Sequence, residues 1–127
     1  LRKGKDIVIF ACGQLVYRAL LLSELLEEIG YEASVVDLYT IKPLDTQTIL
    51  NFAKKCGTAI TLEEHSIYGG LGSAVAEFLA QEFPVPMYIA GIPDRELPNG
   101  TDTEVFDVIG LHPKDLLETS ITLIKRK

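Results

Sequence analysis

The sequence predicts an α/β domain in which a parallel sheet carries helices on both faces. Three observations lead there. Short apolar runs alternate with stretches of helical periodicity along the chain, the pattern of parallel strands joined by crossover helices. The first of those runs, Asp6-Ile7-Val8-Ile9-Phe10-Ala11, is almost unbroken, which marks a strand covered on both sides. Residues 59–82, AITLEEHSIYGGLGSAVAEFLAQE, read as a strand, a glycine turn and a helix in direct succession.

Taken in order, Cys12-Gly13-Gln14 turn the first strand into a long helix over 15–29, which stops at Gly30. At about 100° per residue, Leu15, Ala19, Leu22, Leu26 and Ile29 form its core stripe. Tyr17, Leu20 and Leu21 fall on or near the opposite side, next to Arg18, Glu24 and Glu28. That second apolar face reads either as scattered surface residues or as a face buried against another domain or subunit, and we favour the second. A second strand spans 32–38, followed by the connection Thr40-Ile41-Lys42-Pro43-Leu44-Asp45. Asp45 or Thr46 caps a helix that ends near Lys55. Gly57 restarts the chain into a third strand over 58–62. Glu63, Glu64 and His65 come next, then Tyr68-Gly69-Gly70-Leu71-Gly72, then a helix with Leu71, Val75, Phe78 and Leu79 on one face. Pro84 and Pro86 bracket a fourth strand over 87–90. A polar loop over 91–102 leads to a short helix near 103–109, and Pro113 opens a last helix through Leu123. No repeat or linker divides the 127 residues, so one domain is expected.

Composition narrows the class of partner. The chain is 47% hydrophobic with a formal net charge of −6, and that sign argues against nucleic acid and anionic membranes, which require basic patches. The closing Lys-Arg-Lys is a short solvated tail. No apolar run approaches the ~20 residues of a membrane span, and the expected compartment is the cytoplasm. The opening Leu-Arg-Lys-Gly, without a methionine, suggests a fragment. Cys12 and Cys56 form no Cys-x-x-Cys, and with two histidines no zinc site is expected. Both cysteines read as reduced core or strand-end residues.

The candidate chemistry lies around the third strand. Gly69-Gly70-x-Gly72 before a helix could leave backbone N–H groups for a phosphate. It is not Gly-x-Gly-x-x-Gly, it does not follow the first strand, and Glu63 and Glu64 precede it and would repel an anion. A tight turn with close helix packing is the better reading. Glu63, Glu64 and His65 are titratable groups of the kind acid/base chemistry needs, but a hydrogen-bonded strand terminus or interface group is the favoured account. No serine or cysteine pairs with His65 in a nucleophile motif, and Gly-x-Ser-x-Gly is absent. His112, before Pro113, reads as a helix-entry residue. The residues supply no catalytic set, and no cofactor or metal is expected on this chain.

Several of these stretches, taken together, carry a specific resemblance. They are Ala11-Cys12-Gly13, Thr40-Ile41-Lys42-Pro43-Leu44-Asp45, and Glu63-Glu64-His65-x-x-x-Gly69-Gly70-Leu71-Gly72-Ser73-Ala74-Val75-Ala76-Glu77. With Gly91-Ile92-x-Asp94 and Ile109-Gly110-Leu111, they resemble the C-terminal domain of transketolase over essentially the whole chain. The Ile-Lys-Pro-Leu-Asp loop points to the type split into two subunits. The sequence departs from that family's pattern at Gln14, where Ser is common, and at Glu96 and Asn99, in place of Phe and Ser.

The resemblance implies a three-layer α/β/α fold with strand order 2-1-3-4 and an antiparallel edge strand, of which residues 1–4 look like a truncated tail. It implies a thiamine-diphosphate enzyme that moves two-carbon ketol units between sugar phosphates, as in the pentose phosphate pathway. The cofactor and its divalent metal, Mg or Ca, would lie on other domains or on an N-terminal subunit. This domain would serve assembly or regulation in an oligomer and be inactive alone. A 2-1-3 order would also make a cleft between strands one and three, lined by Cys12, Gly13, Gln14, Glu64, His65 and Ser66, where a small regulator could bind. The related 2-oxo acid dehydrogenase β-subunits use the equivalent domain to dock a partner, which is the alternative reading.

Overall fold

The computed structural model describes residues 2–13, 15–38, 45–66, 70–92 and 113–127, with the side chains of 64–66 and 92 outside that description. In chain order these residues form β1 (Ile7–Ala11), α1 (Leu15–Glu28), β2 (Ala33–Asp37), α2 (Thr46–Cys56), β3 (Ala59–Ser66), α3 (Leu71–Glu82), β4 (Met87–Ile92) and α4 (Pro113–Lys125). The strands make one parallel sheet in the order β2-β1-β3-β4, as the family resemblance implied. The expected short helix near 103–109 and the loop over 40–44 lie outside the described residues.

Alternation along β1 divides its apolar residues between two cores. Ile7, Ile9 and Ala11 face α1 and α4, where Leu15, Ala19, Leu22, Leu26, Leu116 and Leu123 cover them. Val8 and Phe10 face α2 and α3, against Ile49, Ala53, Leu71, Val75 and Leu79. All five residues of β1 are buried, so its unbroken hydrophobicity reflects helices on both sides. The result is the three-layer sandwich.

Helix ends follow local chemistry. α1 closes in a Schellman motif: Gly30, at φ 93°, donates its N–H to Glu27 O, and Tyr31 donates to Leu26 O. This corrects one expectation. Ile29 is the terminal residue of that turn and is 50% exposed, so it leaves the core stripe, and half-buried Tyr31 packs against the core after it. α2 is capped by Asp45, whose carboxylate accepts from the N–H and hydroxyl of Thr48. Gly57, at φ 76°, closes its other end, where Lys54 and Lys55 complement the helix dipole.

A second correction concerns β3, which runs to Ser66 rather than stopping at Leu62. Its pairing with β4 shifts register between Leu62 and Ser66, and β4 itself continues to Ile92, opposite Ser66. The polar residues after Leu62 read as a strand end because polarity and burial normally exclude one another. Here Glu63 is buried with its carboxylate satisfied inside the fold.

The outer edge of β2 is met by the start of the chain. Arg2 and Val35 form one antiparallel bridge, and the Arg2 guanidinium reaches Glu27 at 2.7 Å. Gly4 exchanges hydrogen bonds with the Ser34 hydroxyl and lies so close that a Cβ there would fall 2.5 Å from the Glu32 carbonyl carbon. The expected antiparallel edge strand is therefore present as a single bridge and this clasp.

Beneath the clasp lies Cys56, buried, with its thiol 3.5 Å from Gly4 O and 3.7 Å from Ser34 Oγ. Burial pushes the Cys56 thiol up from its ordinary value, opposed in part by the Ser34 hydrogen bond and by Lys55 and Lys127. The folded chain therefore holds this proton more tightly than the unfolded one. The associated stability is complete below about pH 9 and is lost as pH rises through the folded-state value. Denaturant unfolding at roughly pH 8 and pH 10 should show a steeper alkaline loss in the native protein than in Cys56→Ala. Equal losses would mean that the thiol plays no part.

Candidate functional site

At the carboxyl edge of the sheet the chain places the residues that stand out in the sequence. β1 ends at Ala11, and Cys12 continues beside β3 by donating its N–H to Leu62 O at 3.3 Å. Cys12 is half-buried and packs on the α2–α3 side. Gly13 is exposed at φ 64°, a left-handed conformation that favours glycine and turns the chain into α1. β3 carries Glu63, Glu64, His65 and Ser66 beyond the end of β1. The order β2-β1-β3 within the sheet puts a topological switch point between β1 and β3.

Glu63 is the best-defined group there. It is fully buried, and its two carboxylate oxygens accept from the backbone of α3: Oε2 from Leu71 N–H and Oε1 from Gly72 N–H at 2.9 Å. The first residues of a helix have N–H groups with no partner inside it. The usual donor of an oxygen at that point is the N-cap side chain, and here the N-cap is Gly70, which has none. Glu63 fills the role from the neighbouring strand and sets a negative charge on the positive end of the helix dipole.

Both glycines of this turn are explained by space. A Cβ on Gly70 would fall 2.4 Å from Glu63 Oε2. A Cβ on Gly72 would fall 2.4 Å from Ile89 Cγ2 and 2.7 Å from Thr61 Oγ1. Gly70, in extended backbone, lets the carboxylate reach the helix, and Gly72 lets the helix sit down on β3 and β4.

The Leu71 and Gly72 N–H groups that could have held a phosphate already hold an internal carboxylate. The same carboxylate has no oxygen free of a helix partner. Of the other cleft candidates, Glu64, His65 and Ser66 lie on β3 with side chains outside the described residues, and Gln14 and Gly69 lie outside them altogether. Among the described residues no three His, Cys, Asp or Glu side chains cluster as a metal site, and no helix is long and apolar enough to cross a membrane.

The second candidate surface, on α1, is divided by the structure. Tyr17 is 65% exposed. Leu20 is half-buried and packs against the α1–α4 core, whereas Leu21 turns to a groove of about 200 Å³ between α1 and the start of α4. That groove is lined by Leu21, Glu24, Leu25, Glu28, Pro113 and Lys114. Sequence reasoning missed Leu25 in this role. The signal was the four-residue spacing of Tyr17, Leu21 and Leu25; the apposition of Pro113 had no signal in the sequence.

Comparison with known proteins places this architecture. Residues 1–116 match the family described as transketolase, C-terminal domain. The chain is 40% identical over 123 residues to an apulose-4-phosphate transketolase subunit of Phocaeicola vulgatus, covering 97% of this chain and 39% of that one. It is 40% identical over 120 residues to 1-deoxy-D-xylulose-5-phosphate synthase of Thermosynechococcus vestitus, covering 94% of this chain and 19% of that one. Among solved structures, a split gene transketolase described as an inactive beta4 tetramer superposes with a TM-score of 0.91 at 35% identity, over 98% of this chain and 41% of that one. The chain spans about two fifths of the length of the two transketolase relatives and less of the synthase.

Proposed function

The chain belongs to the transketolase C-terminal domain family, and from that premise we propose that it is the assembly and support domain of a thiamine-diphosphate-dependent ketol transferase of the split type. One observation carries the supporting role: Glu63, the buried acid at the strand ends, is committed through both oxygens to the α3 N-terminus. The strand-end acid then holds the start of α3 instead of performing chemistry.

In this reading thiamine diphosphate and its divalent metal, Mg or Ca, are held by other domains or by an N-terminal subunit. The cofactor supplies the carbanion chemistry that makes and breaks the ketol carbon–carbon bond. In this reading no step of the transfer falls on this chain's own residues. Their part is to hold the α3 turn and to present the outer face of α1 to a neighbour. We place the assembled enzyme in the cytoplasm, in keeping with Cys12 and Cys56, neither of which forms a disulfide among the described residues. A docking domain of a 2-oxo acid dehydrogenase and a free-standing regulatory module are not favoured by relatives of transketolase and synthase type.

The test is a ketol-transfer assay between sugar phosphates, with added thiamine diphosphate and Mg, on the complete protein purified with whatever thiamine-binding partner accompanies it. Transfer by the complete assembly, and none by the 127 residues alone, is the expected result. Formation of 1-deoxy-D-xylulose 5-phosphate in place of ketol transfer, or no thiamine-dependent activity at all, would refute the proposal.

A further inference from the structure

Residues 2–5 lie along the outer edge of β2 and are held there by polar contacts. Arg2 and Val35 exchange backbone hydrogen bonds at 3.3 and 3.0 Å, and Gly4 exchanges a second pair with the Ser34 hydroxyl at 2.9 and 2.7 Å. The Arg2 guanidinium reaches over to α1, where it donates to Ser23 Oγ at 3.3 Å and to Glu27 Oε2 at 2.7 Å. Lys3 and Lys5 are exposed, and none of residues 2–5 belongs to either hydrophobic core. A segment that buries so little apolar surface sits at the low end of local stability.

At Asp6 the grip changes. Its N–H donates to Glu32 O at 2.8 Å, and its carboxylate accepts from Glu32 N–H at 2.7 Å. Lys127 Nζ pins the Asp6 carbonyl at 2.8 Å and the Cys56 carbonyl at 2.9 Å. Ile7, the next residue, is fully buried in the core. The boundary between a weakly held segment and a firmly held strand thus falls at Asp6. Beneath the segment lie two buried groups whose partners are on it: Ser34, and Cys56, whose thiol is 3.5 Å from Gly4 O. While covered, Cys56 is inert, because it is 2% exposed and burial pushes its thiol up, whereas the thiolate is the nucleophile.

We propose that residues 2–5 are a latch that swings off the β2 edge as a unit, hinged at Asp6, while the sheet and its two helix layers stay folded. One movement lets go of Ser23 and Glu27 on α1 and of Ser34 and Val35 on β2, and it uncovers Cys56 at the end of α2. Gly4 is the tightest point of the closed latch, since a Cβ there would fall 2.5 Å from the Glu32 carbonyl carbon and 2.7 Å from Ala33 N. The latch is independent of what the assembled enzyme transfers, and its failure would leave the ketol-transferase reading untouched.

The test is alkylation of the complete enzyme by iodoacetamide, with the rates at Cys56 and Cys12 read separately by mass spectrometry. The reagent forms a sulfur–carbon bond with loss of iodide, and Cys56 offers its thiol only when the latch is open. In the native enzyme the Cys56 rate should change little with low concentrations of urea, because opening a latch exposes little surface. Gly4→Ala, which lifts the closed latch, should raise that rate about tenfold or more. Ser34→Ala, which removes both side-chain hydrogen bonds to Gly4, should raise it about tenfold, and it decides alone if Gly4→Ala does not fold. The rate at Cys12, on the opposite edge of the sheet, should stay the same. A Cys56 rate that climbs with urea as steeply as the unfolding equilibrium would overturn the proposal. So would a Cys56 rate left unchanged by a folded variant, or an acceleration shared equally by Cys12.

Discussion

Replacing Glu63 with alanine should cost the domain about 3 kcal/mol or more, because two hydrogen bonds to a charged acceptor are lost and each contributes roughly 1.5–3 kcal/mol. The loss leaves the Leu71 and Gly72 N–H groups without a protein partner in a buried position. Gly70 cannot compensate, since it has no side chain to cap α3. For a domain of this size the midpoint of thermal unfolding should fall by about 10 °C or more. Glu63→Gln keeps the shape and one acceptor oxygen but turns an amide N–H₂ towards a backbone donor. Its cost should lie below that of alanine and well above zero. An unfolding free energy within about 0.5 kcal/mol of native for Glu63→Ala would show that the strand-to-helix cap contributes little.

The second large effect is a coupled one. Gly70→Ala adds a Cβ that would lie 2.4 Å from Glu63 Oε2 and 2.8 Å from its Cδ. The carboxylate must retreat, and retreat breaks the hydrogen bonds that fix the turn. The expected cost is about 2–3 kcal/mol. In a Glu63→Ala background that obstacle is gone, and the same substitution should cost only about 0.5 kcal/mol. A coupling near 2 kcal/mol in the double-mutant cycle would establish that Gly70 is glycine for the sake of Glu63. Additive costs would instead make Gly70 a local backbone requirement, which its extended conformation does not suggest.

These two residues show how much of the candidate site is legible in the sequence. Glu63, Gly70 and Gly72 stand out there because acidic residues and glycines interrupt an apolar strand and precede a helix. On spacing alone the acid could be an acid/base group, a phosphate repellent, or a hydrogen-bonded strand terminus or interface group. Leu71 lies eight positions after Glu63, and only folding brings the carboxylate back over the helix end. α1 gives the complementary case. Its core stripe of Leu15, Ala19, Leu22 and Leu26 follows directly from helical periodicity. Leu20 and Leu21 are neighbours in sequence, yet one packs on the core and the other lines a groove, because α4 lies across only one side of the helix.

By itself, then, the sequence determined the alternation of strands and helices, the two-sided burial of β1, the stop of α1 at Gly30 and a cap for α2 at Asp45 or Thr46. Each of these depends on residues within a few positions of one another, where backbone preference and hydrophobic period act locally. The tertiary structure decided the extension of β3 past Glu63, the glycine requirements at 70 and 72, and the Leu21–Leu25–Pro113 groove. Those depend on contacts between segments far apart in the chain, whose distances are set by how strands and helices pack and by no local propensity.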